Sequence, residues 1–387
     1  MLRSSPRLGS FTGPVGSNPR GIQVRDVEEV CGELLALPNV VGVGIGYKIS
    51  DGEIVRDADG NPVECYVVSV TAKVPLNELA PEDRVPDRVD GDLTDVIETG
   101  PIRIISDLPT ETAAVDPQQR IRPVTPGLSI GLNPGVTAGT LGFIVQKAGS
   151  AGRFLLSNWH VIAANNTPVA DRDVTTITQP GNADGGSPPS DVIANLTEFV
   201  PIGSSGGTPP LPPIPSECNI AGATAGVLNG LAQLVGSSTR LRPVLEALDS
   251  HEEPPTDNRV DAALGELAVE YDRTTPEIGV VTDTGTPTLG LQVQKFGRTT
   301  GYTTGSITQV NATFVVQGYP DGPATFVDQV AITGDAGSFL AGGDSGSGLA
   351  DMDGRAVGLC FAGSQTIGIA NTWPNVASAL TINPAES

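Results

Sequence analysis

Gly342-Gly343-Asp344-Ser345-Gly346-Ser347-Gly348, GGDSGSG within FLAGGDSGSGLAD, is the stretch on which the reading of all 387 residues turns. Glycines on both sides of the Asp-Ser pair leave Ser345 unshielded and let the backbone turn sharply enough to aim an N–H at an incoming carbonyl. Those are the needs of a nucleophile. A tight turn between two strands explains the same seven residues equally well, so the partners of the serine decide.

A serine hydroxyl is inert until a base takes its proton, and histidine suits that role near neutral pH. The chain has two histidines. His251 lies in the acidic, proline-bearing stretch DSHEEPPTDN, which reads as a solvated loop, whereas His160 lies in FLLSNWHVIA, a strand-like apolar run. A histidine in such a run is ordinarily a core residue satisfied by a backbone carbonyl; beside GGDSGSG in one chain, His160 is instead the candidate base. A carboxylate should orient the imidazole. Asp261 in NRVDAALGEL precedes an apolar run and is expected at a strand edge, while Asp191, Asp249 and Asp257 sit in turn-like or loop-like surroundings. The order is His160, Asp261, Ser345.

LSNWHVIAA resembles the histidine motif of chymotrypsin-like serine proteases, VDAAL their aspartate motif and GGDSGSG their nucleophile motif, in the same chain order. KFGRTTGYTTGSI (Lys295 to Ile307) resembles the GxTTGxxxG segment of the streptogrisin and alpha-lytic branch, and VGLCFAG (Val357 to Gly363) the strand lining the primary specificity pocket. With an asparagine before the His-Val pair, the chain is also similar to an intracellular bacterial branch and to the plant narrow-leaf proteins. The resemblance covers roughly Pro126 to the C-terminus. It implies a serine endopeptidase acting through His160, Asp261 and Ser345, with the N–H groups of Gly343 and Ser345 as oxyanion donors. Phe361, Ala362 and Gly363 would wall the specificity pocket and Phe339 lie near its base. No acidic residue falls at that base, so apolar side chains are the expected preference.

The chain departs from the family pattern in three places. Val161 stands where a cysteine often follows the histidine, Ser347 replaces a frequent glycine, and nothing resembles a zymogen cleavage site. Asp344 therefore needs a partner other than a new amino terminus. Lys295 aligns with the basic residue that serves the streptogrisin-like branch, and Arg298 is the reserve. A weakly active or inactive fold acting as a binding or scaffold module is the alternative reading.

The 48 Gly, 33 Pro and 4% aromatics point to many short strands and turns, a mainly β chain. The resemblance implies a chymotrypsin-like double β-barrel, preceded by a small α+β domain. Residues 1–19 are expected to be disordered and 20–107 to form the small domain. In it VRDVEEVCGELLAL has helical spacing, and NVVGVGIGYK, CYVVSVTAKV and TDVIETG read as antiparallel strands. The glycines of VGVGIG mimic a dinucleotide loop, but no helix follows. A cap, a folding aid and an assembly surface are all open for this domain. Residues 108–125 read as linker and 126–387 as the protease-like domain. An insertion at 204–255 carries the proline-rich SSGGTPPLPPIPSE and a helix-like stretch, and would serve as lid, bridge or decoration.

A net charge of −22 argues against nucleic acid or an anionic membrane as partner. The partners expected are a protein or peptide substrate and, through the N-terminal domain, a second copy in a homo-oligomer. Residues 1–20 have no apolar core and no apolar run of about 18 residues follows, so a cytoplasmic protein is expected. Cys31, Cys65, Cys218 and Cys360 lie too far apart for a disulfide scaffold and form no CxxC pair, so buried thiols, with no metal and no organic cofactor, are expected.

Overall fold

A computed structural model of the chain describes residues 22, 24–104, 116–135, 137–163, 175–203 and 257–384. The disordered stretch expected at 1–19, His251, Asp249, Cys218 and the insertion expected at 204–255 lie outside these residues.

The first barrel is built from β4 (Ser129–Asn133), β5 (Gly139–Thr140), β6 (Phe143–Lys147), β7 (Arg153–Ser157), β8 (Thr176–Thr178), β9 (Val192–Phe199) and β10 (Ala263–Leu267), which follow three strands of an N-terminal sheet. Antiparallel pairing runs β4-β8-β9-β10-β7-β6. The ring closes because residues 139–147 switch partners halfway. Leu141 donates to Leu128 at 2.9 Å on the β4 side, and Gly142 donates to Leu156 at 2.9 Å on the β7 side. One bent strand thus takes two places in the barrel, as its central LG permits.

The second barrel comprises β11 (Gln292–Gly297), β12 (Gly301–Val316), β13 (Ala324–Gly334), β14 (Gly348–Asp351), β15 (Arg355–Gly363) and β16 (Gly368–Thr372). Here β11 pairs with both β12 and β14, closing the circuit β11-β14-β15-β16-β13-β12 through antiparallel neighbours only. Two closed antiparallel barrels in succession make the chymotrypsin-like double β-barrel that the sequence leads one to expect. Closure pairs the strands within each ring, and the ends of β12 and β15 that extend past it pair with segments of the N-terminal region.

The N-terminal sheet consists of β1 (Val40–Tyr47), β2 (Glu64–Val70) and β3 (Asp92–Glu98), with helix α1 (Val24–Leu35) against it. Val27, Val30, Cys31 and Leu34 recur at helical spacing and are all buried, packing on Val43, Ile45, Tyr66 and Val68. The glycines of VGVGIG mark a close approach. Strand β1 pairs with β12, and a Cβ on Gly42 would lie 2.2 Å from the Phe314 ring and one on Gly44 2.7 Å from the Ala312 methyl. The small sheet is thereby continuous with the second barrel. One expectation fails: β3 pairs with β2 in parallel, not antiparallel. The connection over 71–91 is long enough to cross over and return in the same direction.

The C-terminal helix α2 (Trp373–Leu380) lies over the junction of the two barrels. Trp373, Val376 and Leu380 share a core with Phe143 and Leu156 of the first barrel and Ala356 and Leu359 of the second. Residues Ile382–Pro384 then pair antiparallel with β6. Among the described residues no helix is long and apolar enough to cross a membrane. Cys31, Cys65 and Cys360 are buried, and burial pushes the Cys65 and Cys360 thiols up to about 12.

Candidate active site

His160 does not sit in a strand. Strand β7 stops at Ser157, and Trp159–Ile162 form a single helical turn in which the Val161 and Ile162 amides donate to the Asn158 carbonyl at 3.2 and 3.1 Å. Asn158 provides no side-chain cap for this turn. Its amide donates instead to the Asp261 carbonyl at 2.7 Å. That contact ties the histidine turn to the residues entering β10.

Asp261 is fully buried, and its carboxylate faces the imidazole. Oδ2 lies 2.6 Å from His160 Nδ1, and Oδ1 accepts the His160 backbone N–H at 3.3 Å. The 101 positions between them are bridged by the β7–β10 pairing, which brings Ser157 opposite Ala263. A second donor reaches the same oxygen: the Tyr319 hydroxyl, 2.5 Å from Oδ2. Burial, with Asp261 next, pushes the Tyr319 phenol well above its ordinary pKa, so it stays a donor. Asn371, at the end of β16, exchanges two hydrogen bonds with the Asp261 backbone, 3.1 Å from its amide and 3.2 Å from its carbonyl. Both barrels therefore hold this carboxylate in place. On the far side of the ring, His160 Nε2 is buried and has no hydrogen-bond partner among the described residues.

The GGDSGSG loop lies against the first barrel through Thr140. The Thr140 amide donates to the Ser345 carbonyl at 2.8 Å and its hydroxyl to the Gly343 carbonyl at 2.9 Å. Both carbonyls are thus anchored, while the backbone hydrogen bonds of the described residues include none donated by the Gly343 or Ser345 amide. Gly343 has φ 95° and Gly346 φ 92°, left-handed values that a side chain would strain. The loop also adjoins the histidine turn. A Cβ placed on Gly139 would lie 2.6 Å from Val161 and 2.9 Å from the Ser345 carbonyl oxygen. The Ser345 hydroxyl does not donate to His160; it donates to the Phe361 carbonyl at 3.2 Å.

Asp344 is fully buried and accepts from the Thr299 amide at 2.8 Å, the Thr300 amide at 3.1 Å, the Thr300 hydroxyl at 2.7 Å and the Ala341 amide at 2.9 Å. Lys295 Nζ, equally buried, stands 3.5 Å from its Oδ2. Burial lowers the lysine pKa and Asp344 opposes the shift, as expected for a desolvated cation beside an anion. Arg298, the reserve, pairs instead with Asp184 and packs over Gly343.

Phe339 is buried among Val293, Ile332 and Leu340. The Phe361 ring packs on Phe326, centroids 4.7 Å apart, so its carbonyl is what Phe361 presents to Ser345. Ala362 and Gly363 continue β15 beyond it. Tyr319 and Thr140 are the residues that sequence reasoning missed. Neither carries a local signal: one lies in the turn-like QGYPDG and the other in a two-residue strand. Among the described residues no three His, Cys, Asp or Glu side chains cluster as metal ligands would.

No family model matches the chain, and no curated protein matches it. Solved structures do. A glutamic-acid-specific serine protease that uses a histidine triad in substrate binding is 18% identical, with 68% of this chain and 100% of that one covered and a TM-score of 0.38. Thermobifida fusca protease A is 14% identical over 68% and 99%, TM-score 0.39. Cellulomonas bogoriensis chymotrypsin is 14% identical over 68% and 99%, TM-score 0.38. At these identities and scores no residue's role is transferred from them.

Proposed function

We propose that the protein is a serine endopeptidase that cleaves peptide bonds through an acyl-enzyme. Ser345 Oγ attacks the scissile carbonyl as its proton passes to His160 Nε2. Asp261 fixes the imidazole with Nδ1–H toward Oδ2 and stabilises the imidazolium. The Gly343 and Ser345 amides receive the oxyanion; losing one such donor typically costs about 10²–10³ in rate. The C–N bond breaks as the imidazolium protonates the leaving amine, and water, deprotonated by the same nitrogen, releases the acyl group. The Asp344–Lys295 pair holds the oxyanion loop, and Phe339, Phe361, Ala362 and Gly363 border the site that receives an apolar side chain.

The observation that carries this reading is the 2.6 Å contact of Asp261 with one imidazole nitrogen while the other is buried without a partner among the described residues. A second reading, a binding module without turnover, is favoured by one contact, the Ser345 hydroxyl held by the Phe361 carbonyl. A proteome-derived peptide library incubated with the wild type and with Ser345→Ala separates them. New peptide termini that vanish in the variant are expected; identical libraries would leave the binding module.

A further inference from the structure

Strand β15 has two edges beyond Cys360. On one, Ala362 and Gly363 pair with Ile369 and Gly368 of the barrel. On the other they pair, also antiparallel, with Ile104 and Arg103. This second edge starts beside Ser345, whose hydroxyl donates to the carbonyl of Phe361, the residue before Ala362. An extended peptide adding to such an edge through main-chain hydrogen bonds would pass its carbonyls by the serine.

The chain has laid its own backbone there. With Arg103 opposite Gly363 and Ile104 opposite Ala362, the segment advances toward Ser345 as residue numbers rise, the direction of the acyl half of a substrate paired antiparallel. It is held on its other side too. The Ile104 amide donates to the Gln317 carbonyl at 2.9 Å, and the Gln317 amide to the Ile102 carbonyl at 2.9 Å. Ile102 is fully buried in the core that contains Phe361 and Phe326, and Ile104 packs against that core beside Gly318, where a Cβ would lie 2.7 Å from it. Ser345 retains only 2% exposure.

We infer that Arg103–Ile104 is a tethered, autoinhibitory strand: the N-terminal sheet delivers it to the edge that takes a substrate's main chain, and an outside peptide must displace it. This rests on Ser345 being the nucleophile proposed above. The strand competes for the edge without touching the reacting atoms, so loosening it acts on KM. A site occupied nine-tenths of the time by its own chain weakens apparent affinity about tenfold.

The test uses the full chain with Ile104→Gly and Ile104→Asp, which remove the apolar anchor. For a fluorogenic peptide, KM is expected to fall about tenfold or more with kcat little changed. A merely structural role for Ile104 would lower kcat or leave both constants alone, and either result overturns the inference. Should the variants fail to fold, hydrogen exchange at the Ile104 amide in the wild type decides. Saturation with a peptide boronic acid should strip its protection, and undiminished protection with the inhibitor bound overturns the inference. Fluorophosphonate labelling of Ser345 separates the two failures. Labelling with unchanged KM sinks the tethered strand alone; no labelling sinks the nucleophile and the strand together.

Discussion

Asp261 Oδ2 receives two donors in a region sealed from water, the His160 ring at 2.6 Å and the Tyr319 hydroxyl at 2.5 Å. Hydrogen bonds to charged groups contribute about 1.5–3 kcal/mol. Tyr319→Phe should therefore slow peptide hydrolysis roughly tenfold to a hundredfold, read as kcat/KM, while the fold survives. Unchanged kcat/KM would show that the hydroxyl does no positioning. Lys295→Ala leaves Asp344 a buried anion without its cation, a loss of about 3–5 kcal/mol. Lower stability in denaturant and no turnover are expected; full activity would remove the pair from the account. At this scale the meeting of His160 with Asp261 was legible because histidine is scarce and VDAAL has a polar residue against an apolar run, whereas GGDSGSG pointed to Ser345 as a candidate whose hydroxyl is held by the Phe361 carbonyl. Tyr319 was not, since its role exists only where β12 and its turn reach Asp261 across 58 positions.

Among the elements, β1 shows how a sequence pattern can be read correctly and its cause left open. Its alternating glycines mimic a dinucleotide loop that the lack of a following helix rejects, but that they face Phe314 and Ala312 of a barrel strand needs the tertiary pairing. Gly44→Val should force overpacking against β12 and cost about 1–3 kcal/mol, seen as a lower midpoint in urea. A neutral result would mean that β1 is not seated on the barrel. The strands of both barrels were legible from apolar runs between turn residues. The helical turn carrying His160 was not, because four residues after a strand are too few for a period of 3.6 to emerge. Nor was the parallel pairing of β2 with β3, since direction depends on where a 21-residue connection runs rather than on strand composition.

The whole molecule is fastened at the barrel junction. Trp373 meets Phe143 edge-on, centroids 5.6 Å apart, in a core drawn from both barrels, and Ile382–Pro384 then pair with β6. Trp373→Ala should cost about 3–5 kcal/mol and lower one cooperative transition. Two separate transitions in the wild type would contradict a shared core. A double barrel was legible from composition and motif order, yet the seating of Arg103–Ile104 against β15 was not, because nothing in a short β-branched stretch names its partner.

The residues between the two barrels are proposed to activate one serine. Mass spectrometry of the full chain after a fluorophosphonate probe tests it most directly. One adduct, mapped to Ser345 and lost in both Ser345→Ala and His160→Ala, is predicted. A folded wild type that takes no adduct, or carries it elsewhere, would contradict it.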